Sequence, residues 1–261
     1  MSAHLSNEYI PPLALLAGGL ATRLRPVTSS VPKSLLMVAG DPFIAHQLRL
    51  LASQGVRDVV ICCGYLSEQI ESFVGDGSRF GCRVRYSYDG PALLGTGGAI
   101  RNALHLLGPR FWVMYGDSYL TAPFAPVWEA FLGSRKAALM TVFANGNRWD
   151  ASNVEFDGQQ IVRYDKRMRG PEMQHIDYGL GLFWAEGFYR WPGAAAFDLS
   201  HVQSSLAEQG MMAGYEVAER FYEIGSVSGL EETEAFLSAR MSPAPPGVSR
   251  FGRRGPCGVR A

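Results

Sequence analysis

Residues 16–36 read LAGGLATRLRPVTSSVPKSLL, a glycine pair followed by a basic stretch interrupted by prolines. The apolar run Leu13 to Ala17 leads into it and predicts a buried strand ending at Gly18-Gly19. Pro26 and Pro32 keep the residues after the glycines out of a helix interior, because proline lacks an N–H and its ring clashes with the preceding turn. A wide loop results. Gly18 and Gly19 let the backbone approach an anion closely and point consecutive N–H groups at it. Arg23, Arg25 and Lys33 add three positive charges within eleven residues. A guanidinium grips phosphate oxygens in pairs and an ammonium acts as a point charge, so the set suits a triphosphate. A solvated basic loop beside a glycine turn is the plainer alternative.

Beyond this loop, strand and helix patterns alternate. Asp41-Pro42 predicts a helix start, with Asp41 as N-cap and Pro42 at the first helical position. Phe43, Ile44, Gln47, Leu48 and Leu51 come near helical spacing, and Gly55 closes the helix. Asp58 to Gly64 (DVVICCG) predicts a second strand, after which Ser67 caps a short helix through Val74. Arg83 to Tyr88 predicts a third strand. The glycine cluster 95–98 opens a helical pattern closed by Gly108-Pro109, and Phe111 to Tyr115 predicts a fourth strand that ends at Gly116-Asp117. After about residue 136, strands are expected at 137–143, 154–156 and 160–164, the last two joined by the hairpin signal Asp157-Gly158. A long strand at 174–184 and helices at 199–208 and 229–240 complete the pattern. The expected class is α/β, with a Rossmann-like three-layer fold: a mostly parallel mixed sheet and helices on both faces. One domain is expected over residues 10–240, followed by a disordered basic tail at 241–261.

Apolar residues make up 47% of the chain and charged residues only 18%, so a sizeable core can form and global disorder is excluded. Basic and acidic residues balance at 24 each, which leaves no overall positive field to hold a nucleic acid. The tail carries four arginines and no acid, so the folded part is mildly acidic. Cys62, Cys63, Cys82 and Cys257 fit neither a disulfide framework nor a zinc pattern. No signal-peptide pattern opens the chain, and no run reaches the roughly 18 apolar residues of a membrane helix. A cytoplasmic protein with reduced thiols, neither secreted nor membrane-spanning, is the expectation.

Ligands of open α/β sheets bind outside the carboxyl ends of the strands, and the unusual residues fall there. Gly95-Thr96-Gly97-Gly98 opens a helix and could set backbone amides, those of Gly95 and Gly98 included, against a nucleobase or phosphate; simple helix initiation is the alternative. Asp117 is a carboxylate at a strand end, after a glycine that leaves room for a ligand. A dinucleotide fingerprint is the rival reading, since Asp41 lies about 20 residues after the first glycines. That fingerprint needs a helix starting at the glycines, which the prolines oppose.

LAGGLATRLRPVT…VPKSLL, GTGGA at 95–99 and the Gly116-Asp117 pair together resemble the sugar 1-phosphate nucleotidyltransferases, over about residues 12–238. Ala21 stands where that family usually has glycine. The resemblance implies that Leu16, Gly18, Gly19, Gly95 and Gly98 bind a nucleoside triphosphate. It further implies that Arg23 holds the β- and γ-phosphates, Lys33 contacts the α-phosphate, and Asp117 binds Mg²⁺. Glu223, in Tyr222-Glu223-Ile224-Gly225-Ser226, takes the place of a second metal-binding Asp and reaches one methylene further. Lys166 resembles the lysine that grips the sugar phosphate, without the usual following proline. Asp177 falls where many members have an Asn that contacts sugar hydroxyls. The implied partners are an NTP and a sugar 1-phosphate, with no nucleic acid and no membrane; a homo-oligomer is left open. The short chain and the IDYG segment look most similar to small bacterial members that handle mannose-like or heptose 1-phosphates, which favours GTP. A non-catalytic regulatory relative and a nicotinamide-dependent oxidoreductase are the alternatives.

Overall fold

The computed structural model describes residues 10–19, 24, 28, 30–148, 151–168, 170–193 and 195–241. Arg23 and the expected tail from 242 onward lie outside them. Four runs pair as parallel neighbours: β1 (Leu13–Leu16), β4 (Asp58–Cys63), β5 (Arg83–Tyr88) and β6 (Arg110–Tyr115), in the order β5-β4-β1-β6. The small β2 (Met37–Val38) and β3 (Asp41–Pro42) form a separate hairpin. The first three helices are α1 (Phe43–Ser53), α2 (Ser67–Val74) and α3 (Gly95–Leu107). After β6 come β7 (Ser118–Tyr119), α4 (Phe124–Ser134), β8 (Ala138–Ala144), β9 (Val154–Phe156), β10 (Ile161–Tyr164) and β11 (His175–Trp184). The last elements are α5 (Leu199–Glu208), β12 (Met212–Val217), β13 (Tyr222–Glu223) and α6 (Val227–Met241).

Strands β1, β4 and β6 are nearly continuous apolar runs because both of their faces are buried, whereas β5 (RVRYSY), at the sheet edge, is partly exposed. Alternate side chains enter opposite layers. Leu13, Leu15, Val59, Ile61, Trp112 and Met114 pack with residues of α1, α2 and α4. Ala14, Val60, Cys62, Phe111 and Val113 pack with α3 and α5. The sheet turns mixed at β11, which runs antiparallel to β6 and β8, while β12 is parallel to β8. The expected three-layer α/β architecture is therefore present.

Several local expectations need correction. Asp41 does not cap α1. Its residue pairs with Val38 across Ala39-Gly40, both with positive φ (48° and 82°), the backbone a two-residue hairpin requires. Pro42, extended, precedes the helix, and the Asp41 carboxylate accepts from Arg49 at 2.6 Å instead. Ser67 is the first residue of α2 rather than its cap, preceded by Leu66 in the left-handed region. The hairpin after β9 takes four residues, 157–160, with Asp157 Oδ1 accepting from the N–H groups of Gln159 and Gln160. Helix α6 starts two residues before its predicted start, at Val227. Helix α4 and strand β12 had no periodic signal: FAPVWEAFLGS is apolar nearly all round and carries Pro126 in its first turn.

Two features prepare the functional region. Register shifts within β11 between Asp177 and Gly181, where Gly179 has φ +95°, so the strand bulges and re-aims Asp177. In addition, β13 pairs with β7, setting Glu223 opposite Ser118. Trp112 is 1% exposed and its ring centre lies 5.1 Å from that of Phe124, the two rings tilted against each other, joining β6 to α4. Trp112→Ala is expected to lower the unfolding free energy by about 3–5 kcal/mol, measurable by urea denaturation.

Candidate active site

Leu16 and Tyr115 are register partners at the carboxyl ends of β1 and β6. The chain must turn away there without blocking the crevice between them. Gly116 donates its N–H to Leu16 C=O at 2.9 Å, and a Cβ at 116 would lie 2.5 Å from that same oxygen. Only glycine fits, and Asp117 consequently emerges beside the end of β1. Gly18 is similarly crowded: a Cβ would lie 3.0 Å from the N of Gly64 on the neighbouring strand end. A cavity opens at these ends, lined among others by Leu16, Gly18, Gly19, Gly95, Lys33 and Asp117. Gly98 lies further into α3, where its N–H and that of Gly97 donate to Phe197 C=O at 3.2 and 2.9 Å. Its missing Cβ makes room for Ala195 C=O rather than for the cavity.

Lys33 reaches the same point from a single turn of 3₁₀ helix that Pro32 introduces. Its Nζ lies 2.7 Å from Asp117 Oδ2. A second cavity, of about 570 Å³, lies on the other side of Asp117, which together with Tyr115 lines both. Lys166, Asp177, Glu223 and Arg220 line the second. Five of the charged residues singled out in the sequence, Lys33, Asp117, Lys166, Asp177 and Glu223, thus line two cavities that have Asp117 in common.

Their environments differ. Asp177 is raised above the usual carboxyl value by burial, only partly offset by the Gly179 N–H at 3.0 Å, the Lys166 charge and the Tyr164 hydroxyl at 3.2 Å. Burial also pushes the phenols of Tyr115 and Tyr164 well up, and Asp177 adds to both shifts, so both tyrosines stay neutral. Lys166 Nζ sits 3.1 Å from Asp198 Oδ1 and 5.9 Å from the centre of the Tyr115 ring. Asp198 caps α5 through the Ser200 N–H at 2.8 Å. Burial opposes its charge, but the Ser200 hydrogen bonds and the Lys166 charge outweigh it and hold the carboxyl at about 2.

Comparison of the whole chain with known proteins places it in a family. Residues 14–162 fit the family model described as nucleotidyl transferase. Over 232 residues the chain is 30% identical to the N-acetylmuramate alpha-1-phosphate uridylyltransferase of Neisseria meningitidis serogroup B, covering 86% of this chain and 97% of that one. The chain belongs to the sugar 1-phosphate nucleotidyltransferase family. It is also 28% identical to a mannose-1-phosphate guanylyltransferase of Mycobacterium tuberculosis, spanning 88% of this chain and 66% of that one. Among solved structures, HddC of Yersinia pseudotuberculosis with GMP-PN superposes with a TM-score of 0.73 at 21% identity, over 87% of this chain and all of that one. A UDP-glucose pyrophosphorylase of Acinetobacter baumannii gives 0.74 at 15%, over 89% and 95%.

In this nucleotidyltransferase the glutamate at 223 folds back on its own loop. Its carboxylate accepts from the Ser226 hydroxyl at 2.7 Å and from the Gly225 N–H, and a Cβ at 229 would overlap it. The missing Cβ of Gly229 thereby leaves room for the Glu223 carboxylate. No cluster of three or more His, Cys, Asp or Glu among the described residues could hold an ion. Magnesium commonly takes one or two carboxylates and completes its shell with phosphate oxygens and water. Asp117, just before β7, and Glu223, in the paired β13, line one cavity and are two carboxylates there that could take part in such a shell.

Sequence reading gave no role to Asp198, Tyr115 or Tyr164. Asp198 alone had a local signal, a capping residue before a helical run; the tyrosines looked like strand residues. Because the Asp198 carboxyl lies below its ordinary 3.8, the stability it contributes is fully present above about pH 4 and is lost as pH falls toward 2. Asp198→Ala should cost about 1 kcal/mol near neutral pH as a lost helix cap. The gap between variant and wild-type urea midpoints should shrink between pH 4 and pH 2.

Proposed function

We propose that the protein is a Mg²⁺-dependent enzyme that transfers a nucleoside monophosphate from an NTP to a sugar 1-phosphate and releases pyrophosphate. The observation that carries this is the Lys33 Nζ–Asp117 Oδ2 contact at 2.7 Å on the wall shared by two cavities. A triphosphate in the first and a sugar phosphate in the second would meet there.

The chemistry needs charge cancellation more than proton transfer. The second pKa of a phosphate monoester is near 6, so the sugar phosphate oxygen is already an anion at neutral pH. It attacks the α-phosphorus; the new P–O bond forms as the bond to the β-phosphate oxygen breaks, and pyrophosphate leaves with the electron pair. Lys33 holds the α-phosphate and Lys166 holds the incoming phosphate, which offsets the repulsion between two polyanions and aligns them. Arg23 is assigned to the β- and γ-phosphates on the motif alone. Asp177, with Tyr164 fixing one oxygen, accepts from sugar hydroxyls. Asp117 and Glu223 would hold a magnesium ion that neutralises the triphosphate and polarises the α-phosphoryl group.

We favour GTP with a mannose-like or heptose 1-phosphate. Asp89 lines the first cavity, and its carboxylate accepts the Leu94 N–H at only one oxygen, Oδ2 at 3.1 Å. Guanine offers a carboxylate two adjacent donors, its ring N–H and its amino group, whereas uracil offers one. The uridylyl transfer named for the Neisseria relative is the competing base.

Pyrophosphate release with a panel of NTPs and sugar 1-phosphates tests the proposal. Activity should require one NTP, one sugar 1-phosphate and Mg²⁺ together, and disappear with EDTA. Lys33→Ala and Asp117→Asn should each lower turnover about 10²–10³-fold. Undiminished turnover in either variant, or no pyrophosphate from any pairing, would count against this reading. The second result would favour a regulatory subunit.

A further inference from the structure

Gln47 occupies a position that an apolar residue would fill at lower cost. It lies on the face of α1 that also carries Ile44, Leu48 and Leu51, and all four are 0% exposed. Its Oε1 is buried with no hydrogen-bond partner among the described residues. A buried acceptor left unpaired costs about 1–3 kcal/mol. A methionine of similar length would avoid that penalty, so the amide must do something its carbonyl does not.

Its Nε2 donates to Ser118 C=O at 2.8 Å and to Tyr115 C=O at 3.1 Å. Those two carbonyls bracket Gly116-Asp117. The turn has two further ties: Gly116 N–H to Leu16 C=O, and Asp117 C=O accepting from Ile224 N–H, both at 2.9 Å. Neither of these backbone bonds connects it to the segment that carries Lys33, which the Lys33–Asp117 ion pair itself touches only through two side chains. Helix α1 does. Phe43 N–H, at its start, donates to Leu36 C=O at 2.9 Å, and His46 Nε2, the residue before Gln47, donates to Val38 C=O at 2.7 Å. Adjacent residues of one rigid helix therefore grip the Lys33 segment on one side and the Asp117 turn on the other.

We infer that Gln47 is a positioning residue that fixes Asp117 relative to Lys33 and so sets the geometry of nucleotidyl transfer. This rests on the proposed roles of Lys33 and Asp117. The expected loss falls on turnover more than on substrate binding, because Gln47 lines neither cavity, whereas a displacement of about 1 Å in an aligned reaction can cost about 10²-fold.

Gln47→Met keeps the length and removes the donor; Gln47→Glu keeps the shape and replaces donor by acceptor, so either variant that folds is informative. Both should lower kcat about 10–100-fold with both KM values within about 3-fold. They should also weaken Mn²⁺ binding to the nucleotide-bound protein, followed by the electron paramagnetic resonance of free Mn²⁺, by a comparable factor, as expected when a support of a metal-binding carboxylate is lost. A purely structural role would reduce the folded fraction seen by circular dichroism and leave Mn²⁺ affinity and kcat per folded molecule unchanged; that result overturns the inference. Asp117→Asn run in parallel separates the two levels. If it is inactive while Gln47→Met turns over normally, only the inference fails. If Asp117→Asn itself turns over normally, the proposed role of Asp117 fails and the inference with it.

Discussion

The ion pair between Lys33 and Asp117 holds the functional region together. It joins a loop that leaves the first strand to a turn that leaves β6, and it lies where two cavities share a wall. In the proposed reaction two anionic substrates would repel each other strongly at this point, and the fixed Lys33 charge would offset part of that repulsion. An ammonium resting on a carboxylate is also satisfied before any phosphate arrives, so it needs no large rearrangement to be ready.

Close backbone approach makes the pair geometrically available. Gly116 lies against the end of β1 at a distance that excludes a side chain, and Gly18 lies against the end of β4 where a Cβ would be tight. The crevice stays open because these positions carry no Cβ. The bulge in β11 and the pairing of β13 with β7 then bring Asp177 and Glu223 to the same cavity from segments 60 and 106 residues beyond Asp117. The sheet turns mixed at β11, so the half that lines the first cavity is parallel and the half that supplies the second is not.

Around this region the fold accepts unfavourable local terms. Asp177 is a carboxyl that burial raises, Tyr115 and Tyr164 are phenols deep in the same cluster, and Gln47 keeps an unpaired acceptor in an apolar layer. The other fully buried residues of α1, Phe43, Ile44, Ala45, Leu48 and Leu51, are apolar, which shows what packing alone would select. The departures concentrate where side chains must hold backbone or ligand in one orientation.

The parallel strands and most helices were legible in the sequence, because burial leaves largely apolar runs in β1, β4 and β6 and proline and glycine mark where elements end. Elements whose apolar residues cover every side, such as α4, left no period to read, and the Asp41-Pro42 signal lost to a hairpin that the Ala39-Gly40 turn favours. The sequence by itself determined which charged residues stand at strand ends. Only the tertiary structure decided which of them meet, and it showed that Gln47, apolar by spacing alone, reaches across to residues 115 and 118. The reason is physical: periodicity reports the environment of one element, while proximity between distant residues depends on strand register and helix placement, which no local pattern encodes.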